Sequence, residues 1–361
     1  MNTMPLRRPA HCPFDPPSEL ARLRRDEPIS LVVTPAGTPA WLVTRHEDAR
    51  LVLADPRFTA HGPVESRGVI DVDGPEHTRL RRLLVPELTI RRAEGWRLRV
   101  RKAAEERAAV LESPADLVAD YARPLAGRVL GELVGLPEGF PMGLEAALLR
   151  PMLTDVVDQR RREPTTDLIS GLLRQASVLR EPPSTAEMVG LAMTVLFGGY
   201  ETSVGMLTLS ALVLMDDPRR VESLTEGEVA VSVAVEELLR YLTVVQPGLP
   251  RYATEDVRIG DQVVRKGECV LVSISSANRD PSVFHHPDEL RLVRPTSRAH
   301  LAFGYGPHQC VGSQLARVLV QEGLTALFGL RPRVRLAKPR TELVFTDRSP
   351  VHGLRSLPVL W

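Results

Sequence analysis

The chain has 361 residues, 43% hydrophobic and 25% charged, a composition that allows a large buried core. Lysine and arginine total 46 against 45 acidic residues. The formal charge of +1 excludes a strong overall electrostatic attraction to nucleic acid or to an anionic membrane. The three cysteines, Cys12, Cys269 and Cys310, form no C-x-x-C pair, which argues against disulfides or structural zinc and favours a reducing cytoplasm. Residues 1–17 lack the apolar run of a signal peptide or membrane anchor, so we expect no bilayer insertion.

The first predicted element is a β-hairpin. Residues 29–33 and 40–44 are rich in strand-forming side chains and flank the turn-forming residues 35–39. A short helix over 47–53 follows. From residue 75 to 185 the hydrophobic pattern is mostly helical. Its clearest helices are predicted over 76–87, 93–111 and 115–134.

The second half of the chain begins with its longest predicted helix, residues 187–215, and continues with a helix over 228–241. Short strands are predicted next, at 252–254, 257–259, 262–264 and 269–273. A further helix covers 311–328. The β-rich portions are therefore about 29–44, 251–273 and 334–361. Since no repeat and no long Gly/Ser linker interrupts the sequence, we predict a single domain over 1–361.

The segment from Phe303 to Gly312 carries the strongest chemical signal. Its glycines permit turns and close approaches that other residues block, and they are Gly304, Gly306 and Gly312. Cys310 falls at the start of a predicted helix, where the dipole stabilises a thiolate. An isolated cysteine is usually a small buried hydrophobe, but the glycines, the Phe303 ring and His308 favour a metal-holding loop.

The middle of the longest predicted helix contains Gly198 and Gly199. Each glycine costs about 1 kcal/mol relative to alanine in a helix, so the pair needs a reason such as close helix packing. The Thr202 hydroxyl can bond back to the carbonyl of Gly198, and Glu201 adds an ionisable group to an apolar helix. This combination suggests a proton path.

Three further signals are weak when considered alone. Glu237 and Arg240, spaced i, i+3, are usually an exposed ion pair worth a few tenths of a kcal/mol. His77 and Arg81, spaced i, i+4, are consistent with a solvated basic helix face. A lone arginine such as Arg251 is usually a surface residue.

The pattern Phe-Gly-x-Gly-x-His-x-Cys-x-Gly over 303–312 resembles the haem-binding signature of the cytochrome P450 family, and it matches at every defining position. The resemblance implies a mainly α fold with a small β region, with haem b between the long central helix and the Cys310 loop. It implies that Cys310 is the iron ligand, that Phe303 lies beside the sulfur and that His308 contacts a haem propionate. Thiolate ligation favours O–O cleavage.

The other motifs follow in the order that the family shows. The resemblance makes Glu201 and Thr202 the acid–alcohol pair that serves O₂ activation, with the proton path expected of them. It makes Glu237 and Arg240 a structural lock beneath the haem. The remaining residues that it assigns to the cofactor are His77, Arg81, Gly198, Gly199, Arg251, Gly304 and Gly312.

One region departs from the family pattern. Between Gly135 and Asp167 only about thirty residues remain, room for one helix with its loops, where the family has a lid of two long helices. A reduced lid leaves two hypotheses. The substrate is large or is presented by a carrier protein, or the chain is an auxiliary subunit that supports a partner enzyme without turnover. Retention of Cys310, Glu201 and Thr202 favours the first.

The resemblance therefore predicts a monomeric, cytoplasmic monooxygenase that hydroxylates or epoxidises an organic substrate in natural-product biosynthesis. We expect electrons from a ferredoxin-type donor, because no flavin or nicotinamide module fits in this chain. A basic docking patch for that donor is predicted at Arg79, Arg82, Arg91, Arg92 and Arg317. The substrate-facing residues predicted from their position relative to the motifs are Ile70, Met193, Val195, Val245, Leu249 and Val351.

Overall fold

The computed structural model describes residues 2–5, 7–9, 12–62, 72–137, 139–140, 146–346 and 349–361. The chain divides into two compact units. The first unit comprises Met1–Glu65, Leu209–Cys310 and Lys338–Arg355, and the second comprises Ser66–Thr208, Val311–Ala337 and Ser356–Trp361. The prediction of a single domain over 1–361 stays a prediction.

Helices dominate both units, and short strands make up the rest. The helices are α1 (Glu19–Asp26), α2 (His46–Ala54), α3 (Gly74–Leu84), α4 (Ile90–Ala109), α5 (Arg123–Val134), α6 (Ala146–Arg162), α7 (Leu168–Ala176), α8 (Thr185–Met215), α9 (Pro218–Thr225), α10 (Val231–Leu242), α11 (Ile274–Ala277) and α12 (Ser313–Leu330). The strands are β1 (Asn2–Thr3), β2 (Ile29–Val33), β3 (Pro39–Val43), β4 (Phe58–Thr59), β5 (Ala115–Asp116), β6 (Leu249–Ala253), β7 (Val257–Ile259), β8 (Gln262–Val264), β9 (Cys269–Val272), β10 (Arg335–Leu336) and β11 (Pro358–Leu360). None of the described helices is long and apolar enough to cross a membrane.

A six-stranded sheet in the order β1-β2-β3-β9-β6-β4 forms the centre of the first unit. The predicted hairpin is confirmed: β2 and β3 pair antiparallel, and Gly37 in the turn has a φ of +80° that favours glycine. Alternating side chains point to opposite faces, so Leu42 packs with α1 residues while Val43 packs with α2 residues. The sheet is therefore covered by helices on both faces.

The core of the second unit includes the packing of α4 along α12. Gly323 of α12 is a close-contact position, because a Cβ there would lie 3.0 Å from Cδ1 of Leu207. The Tyr121 hydroxyl donates to the carbonyl of Gly323 at 2.6 Å. Buried Glu322 accepts hydrogen bonds from Arg97 and Arg101 of α4, at 2.6 and 2.8 Å. These hydrogen bonds hold α12 against α4 and Tyr121. Helix α12 is the element that follows the cysteine segment in sequence.

A single helix, α6, lies between Gly135 and Asp167 in the described part of that segment, as the sequence predicts. Gly135 ends α5 in the left-handed conformation, with φ +89°. Asp167 caps α7 by accepting from the Ser170 N–H at 2.8 Å, and it also binds Arg160 of α6. Because α5 ends sharply at Gly135 and α7 begins sharply at Asp167, few residues are needed to connect these helices.

The helix prediction was wrong at residues 115–116, which form β5. Asp116 and Ala115 pair with Pro358 and Val359 of β11, a partner far away in sequence. Non-local pairing overrode the local helical pattern here. The helical segment begins at Leu117 as a wider π-type turn before α5.

Candidate active site

The cysteine segment forms a tight turn that presents Cys310. Gly304 and Gly306 have φ values of +71° and +74°, which only glycine adopts readily. A Cβ at Gly306 would lie 2.5 Å from the carbonyl oxygen of Leu53, so that position excludes larger residues. The Cys310 N–H donates to the Phe303 carbonyl at 2.8 Å, and the Cys310 side chain is exposed. The glycines thus shape a turn that holds an accessible thiol.

Residues just before this turn are anchored by buried side chains. Asn278 accepts from the Leu301 N–H at 2.7 Å and donates to the Thr243 hydroxyl at 2.8 Å. His300 Nδ1 accepts from the Ala302 N–H, and its Nε2 lies 3.3 Å from a carboxylate oxygen of Glu236. Both anchors end on α10 or on the residue that follows it.

Glu237 and Arg240 of α10 form a buried ion pair with no exposed side-chain surface. Two hydrogen bonds of 2.8 Å join the guanidinium to the carboxylate. Arg294 is a second cation on the same carboxylate, at 3.0 Å. Burial lowers the pKa of Arg240, while its bonds to Glu237 oppose that shift. The default interpretation as an exposed pair was wrong for these two residues.

The acid and alcohol predicted for proton transfer lie in α8 of the second unit. The Thr202 hydroxyl donates to the Gly198 carbonyl at 2.6 Å, which confirms the predicted bond. The Glu201 carboxylate is half-exposed and accepts two hydrogen bonds from Arg123 of α5, at 2.9 and 3.2 Å. Glu201 is therefore both held by a cation and open to water.

The two glycines of α8 have different surroundings. A Cβ at Gly199 would lie 3.1 Å from Leu130 of α5, so close helix packing explains this glycine. Among the residues that the structure describes, none lies within 4 Å of a Cβ built on Gly198. Phe197, its neighbour, is 47% exposed although most of α8 is buried. Gly198, Phe197 and Glu201 therefore form an exposed surface on α8.

The basic residues predicted to bind haem propionates are better shielded than surface residues. His77 is buried and Arg81 is half-buried on α3, so the solvated-face interpretation was wrong for His77. Arg251 in β6 is buried, and its Nη1 donates to the Pro250 carbonyl at 2.7 Å. His308 lies in the short helical turn before Cys310. Gly312 is the N-cap of α12, with φ −84°.

Ion pairs reduce the charge of the predicted donor-docking patch. Arg79 pairs with Glu187, and Arg92 pairs with Glu87. Arg82 and Arg91 are exposed. Fewer of these arginines therefore contribute positive charge to the predicted docking patch than the sequence alone suggests.

Three of the predicted substrate-facing residues lie on segments next to each other in the first unit. Val245 forms a β-bridge with Val351. Leu249 Cδ1 lies 3.7 Å from the position of a Cβ on Gly304, which places Leu249 beside the cysteine turn. In α8, Met193 is buried and Val195 is half-buried. Ile70 lies outside the described residues.

Comparisons with known proteins agree on one family. The cytochrome P450 family model matches residues 146–329. Cytochrome P450-SU2 of Streptomyces griseolus is 37% identical, over 99% of this chain and 97% of that protein. The mycinamicin IV hydroxylase/epoxidase of Micromonospora griseorubida is 38% identical, over 94% of each chain. The structure of CYP105P2 from Streptomyces peucetius, complexed with a biphenyl compound, has a TM-score of 0.92 at 33% identity and covers 100% of this chain and 99% of that one.

The chain belongs to the cytochrome P450 family. The predicted fold class is confirmed, and this P450 is an oxidoreductase that binds haem b. It is a monooxygenase that uses a redox partner and small-molecule substrates. The alignment with P450-SU2 spans 392 positions against 361 residues here, so this P450 carries deletions relative to that protein.

The residues of this P450 fit a haem chemically. The cysteine turn offers an accessible sulfur, which is the donor that haem-thiolate iron takes. Buried His77 and Arg251 are hydrogen-bond donors of the kind that pair with propionate carboxylates. Three residues of the site were not predicted from the sequence: Asn278, Arg123 and Phe197. Asn278 and Arg123 contact residues that are distant in sequence, and Phe197 is notable only for its exposure. Both properties are known only from the folded structure.

Proposed function

We propose that Cys310 would bind haem b as its thiolate ligand in a monooxygenase that hydroxylates or epoxidises an organic substrate. The observation that carries the proposal is the 303–310 turn, in which two left-handed glycines present an exposed Cys310. Haem, when bound, supplies the O₂ activation and oxygen transfer. The Phe303 ring shields the sulfur in this proposal.

Basic side chains hold the haem carboxylates. We assign this role to His77, Arg81, Arg251 and His308, with charge-assisted hydrogen bonds to the propionates. The burial of His77 and Arg251 supports the assignment, because a charge-assisted hydrogen bond to a propionate is stronger away from bulk water. Gly198 leaves room for close approach to the cofactor, since none of the described residues occupies the space of its missing Cβ. Gly199, Gly304 and Gly312 shape the backbone around it.

Glu201 and Thr202 move protons in this proposal. Half-exposed Glu201 exchanges protons with water, and its hydrogen bonds to Arg123 hold the carboxylate in one orientation between transfers. Thr202 follows Glu201 on the same helix, and its hydroxyl donates to the Gly198 carbonyl in this structure. Released from that carbonyl, the Thr202 hydroxyl would serve as a proton donor for O₂ activation.

The substrate class is a bulky natural product or one presented by a carrier protein. In the described part of the segment between Gly135 and Asp167, α6 is the one helix, and this supports the proposal because a smaller cover leaves more room above the cofactor. The mycinamicin IV hydroxylase/epoxidase is a similar protein whose name states hydroxylation and epoxidation of mycinamicin IV. Substrate contacts are assigned to Ile70, Met193, Val195, Val245, Leu249 and Val351, to which Phe197 is added because of its exposure. The auxiliary-subunit alternative is not favoured, since the named relatives are enzymes.

The electron donor is a ferredoxin-type protein, and the P450 works as a cytoplasmic monomer. Retention of the Glu201-Thr202 pair supports O₂ and external electrons over peroxide, because that pair serves proton delivery. Three cysteines without a C-x-x-C pair suit a reducing compartment.

Thr202→Val tests the proton path against a matched control. Substrates are found by the spin-state shift that they cause in the haem spectrum, and turnover is then measured with a ferredoxin and its reductase. We expect Thr202→Val to lower product formed per electron consumed by about tenfold or more, with release of hydrogen peroxide. Thr208→Val is the control, because the Thr208 hydroxyl makes the same backbone bond in α8, to Val204 at 2.8 Å. Equal coupling in the two variants would contradict the proposed role. No product with any substrate that shifts the spectrum would favour the auxiliary subunit.

A further inference from the structure

Asn278 connects the end of α10 to the backbone that leads into the cysteine turn. Its side-chain oxygen accepts from the Leu301 N–H at 2.7 Å, and its amide nitrogen donates to the Thr243 hydroxyl at 2.8 Å. The Thr243 hydroxyl in turn donates to the Arg240 carbonyl at 2.8 Å. Asn278 has no exposed surface and Thr243 is 2% exposed. Water therefore does not compete for these bonds in the folded protein.

The connection continues from Leu301 to Cys310 through the main chain. The Gly304 N–H donates to the Leu301 carbonyl at 2.8 Å, and the Cys310 N–H donates to the Phe303 carbonyl at 2.8 Å. Each bond closes a turn whose glycine has a fixed left-handed conformation. A displacement of Leu301 is therefore transmitted to the position of the Cys310 sulfur.

The Asn278 position requires both a donor and an acceptor. An asparagine side chain supplies one of each, whereas an aspartate supplies only acceptors and a leucine supplies neither. The Asn278 backbone carbonyl also accepts from Arg240 Nη1 at 2.8 Å. Residue 278 thus contacts both α10 and the segment before the cysteine, and its side chain makes the link to that segment.

We propose that Asn278 is a positioning residue for the thiolate. It holds Leu301 against the end of α10, and through the two turns it fixes the Cys310 sulfur relative to the haem that Cys310 binds. The proposal rests on the proposed ligand role of Cys310. It assigns to Asn278 an effect on the spectrum and reduction potential of the haem, beyond an effect on folding.

The test compares Asn278 variants with a variant of equal burial elsewhere in the first unit. The holoproteins are reduced under carbon monoxide. The rate of conversion from the red-shifted thiolate form to the blue-shifted inactive form is measured, together with the midpoint reduction potential and the urea unfolding midpoint. Thr44→Val is the control, because Thr44 is fully buried and its hydroxyl donates to the Pro28 carbonyl at 2.9 Å, away from the cysteine turn.

We expect Asn278→Leu to convert about tenfold faster than wild type and to shift the potential, because the loss of a buried hydrogen-bond partner is worth about one factor of ten. Asn278→Asp retains the acceptor for Leu301 but loses the amide donor to Thr243, so it should convert at an intermediate rate. Thr243→Val leaves the Asn278 amide without its acceptor and should be intermediate. Thr44→Val should lower the unfolding midpoint without changing the conversion rate.

The proposal is overturned if Asn278→Leu and Thr243→Val change conversion only as much as Thr44→Val does at equal loss of stability. If Asn278→Leu does not fold, the same comparison between Thr243→Val and Thr44→Val decides. Failure of the ligand assignment gives a different result, since Cys310→Ala would then keep the thiolate band while the Asn278 variants leave it unchanged.

Discussion

Two glutamate–arginine pairs show how differently the two functional regions of this P450 are built. Glu237 and Arg240, near the cysteine turn of the first unit, have no exposed side-chain surface. Glu201 and Arg123, in the second unit, are 51% and 39% exposed. In both pairs the guanidinium donates two hydrogen bonds to the carboxylate. Burial, and not geometry, distinguishes a pair that fixes structure from one that can exchange partners with water.

The difference suits the roles proposed for the two regions. A thiolate ligand must keep one position through the reaction. In the first unit, buried Asn278 binds the Leu301 N–H before the cysteine turn, and its backbone carbonyl accepts from buried Arg240. A proton carrier must gain and lose contacts, and Glu201 lies in an uncovered part of α8. The same residue types therefore serve rigidity in one unit and exchange in the other.

Removal of one arginine from each pair should give the largest contrast. Arg240→Ala leaves Glu237 buried with one cation fewer and should cost about 3–5 kcal/mol of stability, with loss of bound haem. Arg123→Ala should cost about 0.2–1 kcal/mol, because its partner is solvated. Urea denaturation and haem content measure both effects. Similar costs for the two variants would show that burial does not separate the pairs.

A smaller effect is expected from His352, a buried residue of the first unit. Burial and nearby Arg8 lower the pKa of His352 from 6.5 to about 3, and its Nε2 bonds to the Pro13 carbonyl at 3.0 Å. The unfolded chain binds a proton at this residue below its ordinary pKa, whereas the folded chain stays neutral until about pH 3. Stability should therefore fall as the pH drops, by about 2 kcal/mol between pH 7 and pH 5.

His352→Gln isolates this contribution, since glutamine retains a donor without titrating. Urea unfolding midpoints at pH 7 and pH 5 should fall less in the variant than in the wild type. An equal fall in both proteins would assign the acid sensitivity to other groups.

Local patterns predicted the elements whose hydrophobic period is long and continuous. Helix α8 was predicted to begin at residue 187 and begins at Thr185. Helix α10 was predicted over 228–241 and spans Val231–Leu242. Residues 115–116 were assigned wrongly because their partner strand, β11, lies at the other end of the sequence. Short elements such as α1 and α9 were missed for lack of a long period.

The site was predictable where its signal is contiguous in sequence and hidden where it depends on distant partners. Cys310 and its glycines form one motif, and their conformations follow from the residues themselves. The burial of Glu237 could not be read from an i, i+3 spacing, because it depends on Arg294 and on carbonyls of other segments. Asn278 carries no local signal, since its side-chain partners Thr243 and Leu301 are 35 and 23 residues away in sequence.

The ligand assignment of Cys310 is the central claim, and the spectrum of the reduced protein with carbon monoxide tests it most directly. The wild type should show the strongly red-shifted Soret band of thiolate-ligated haem. Cys310→Ala should lose that band, and Cys269→Ala, which changes a half-buried strand cysteine, should keep it. A wild type without the band, or a Cys310→Ala variant that retains it, would contradict the assignment.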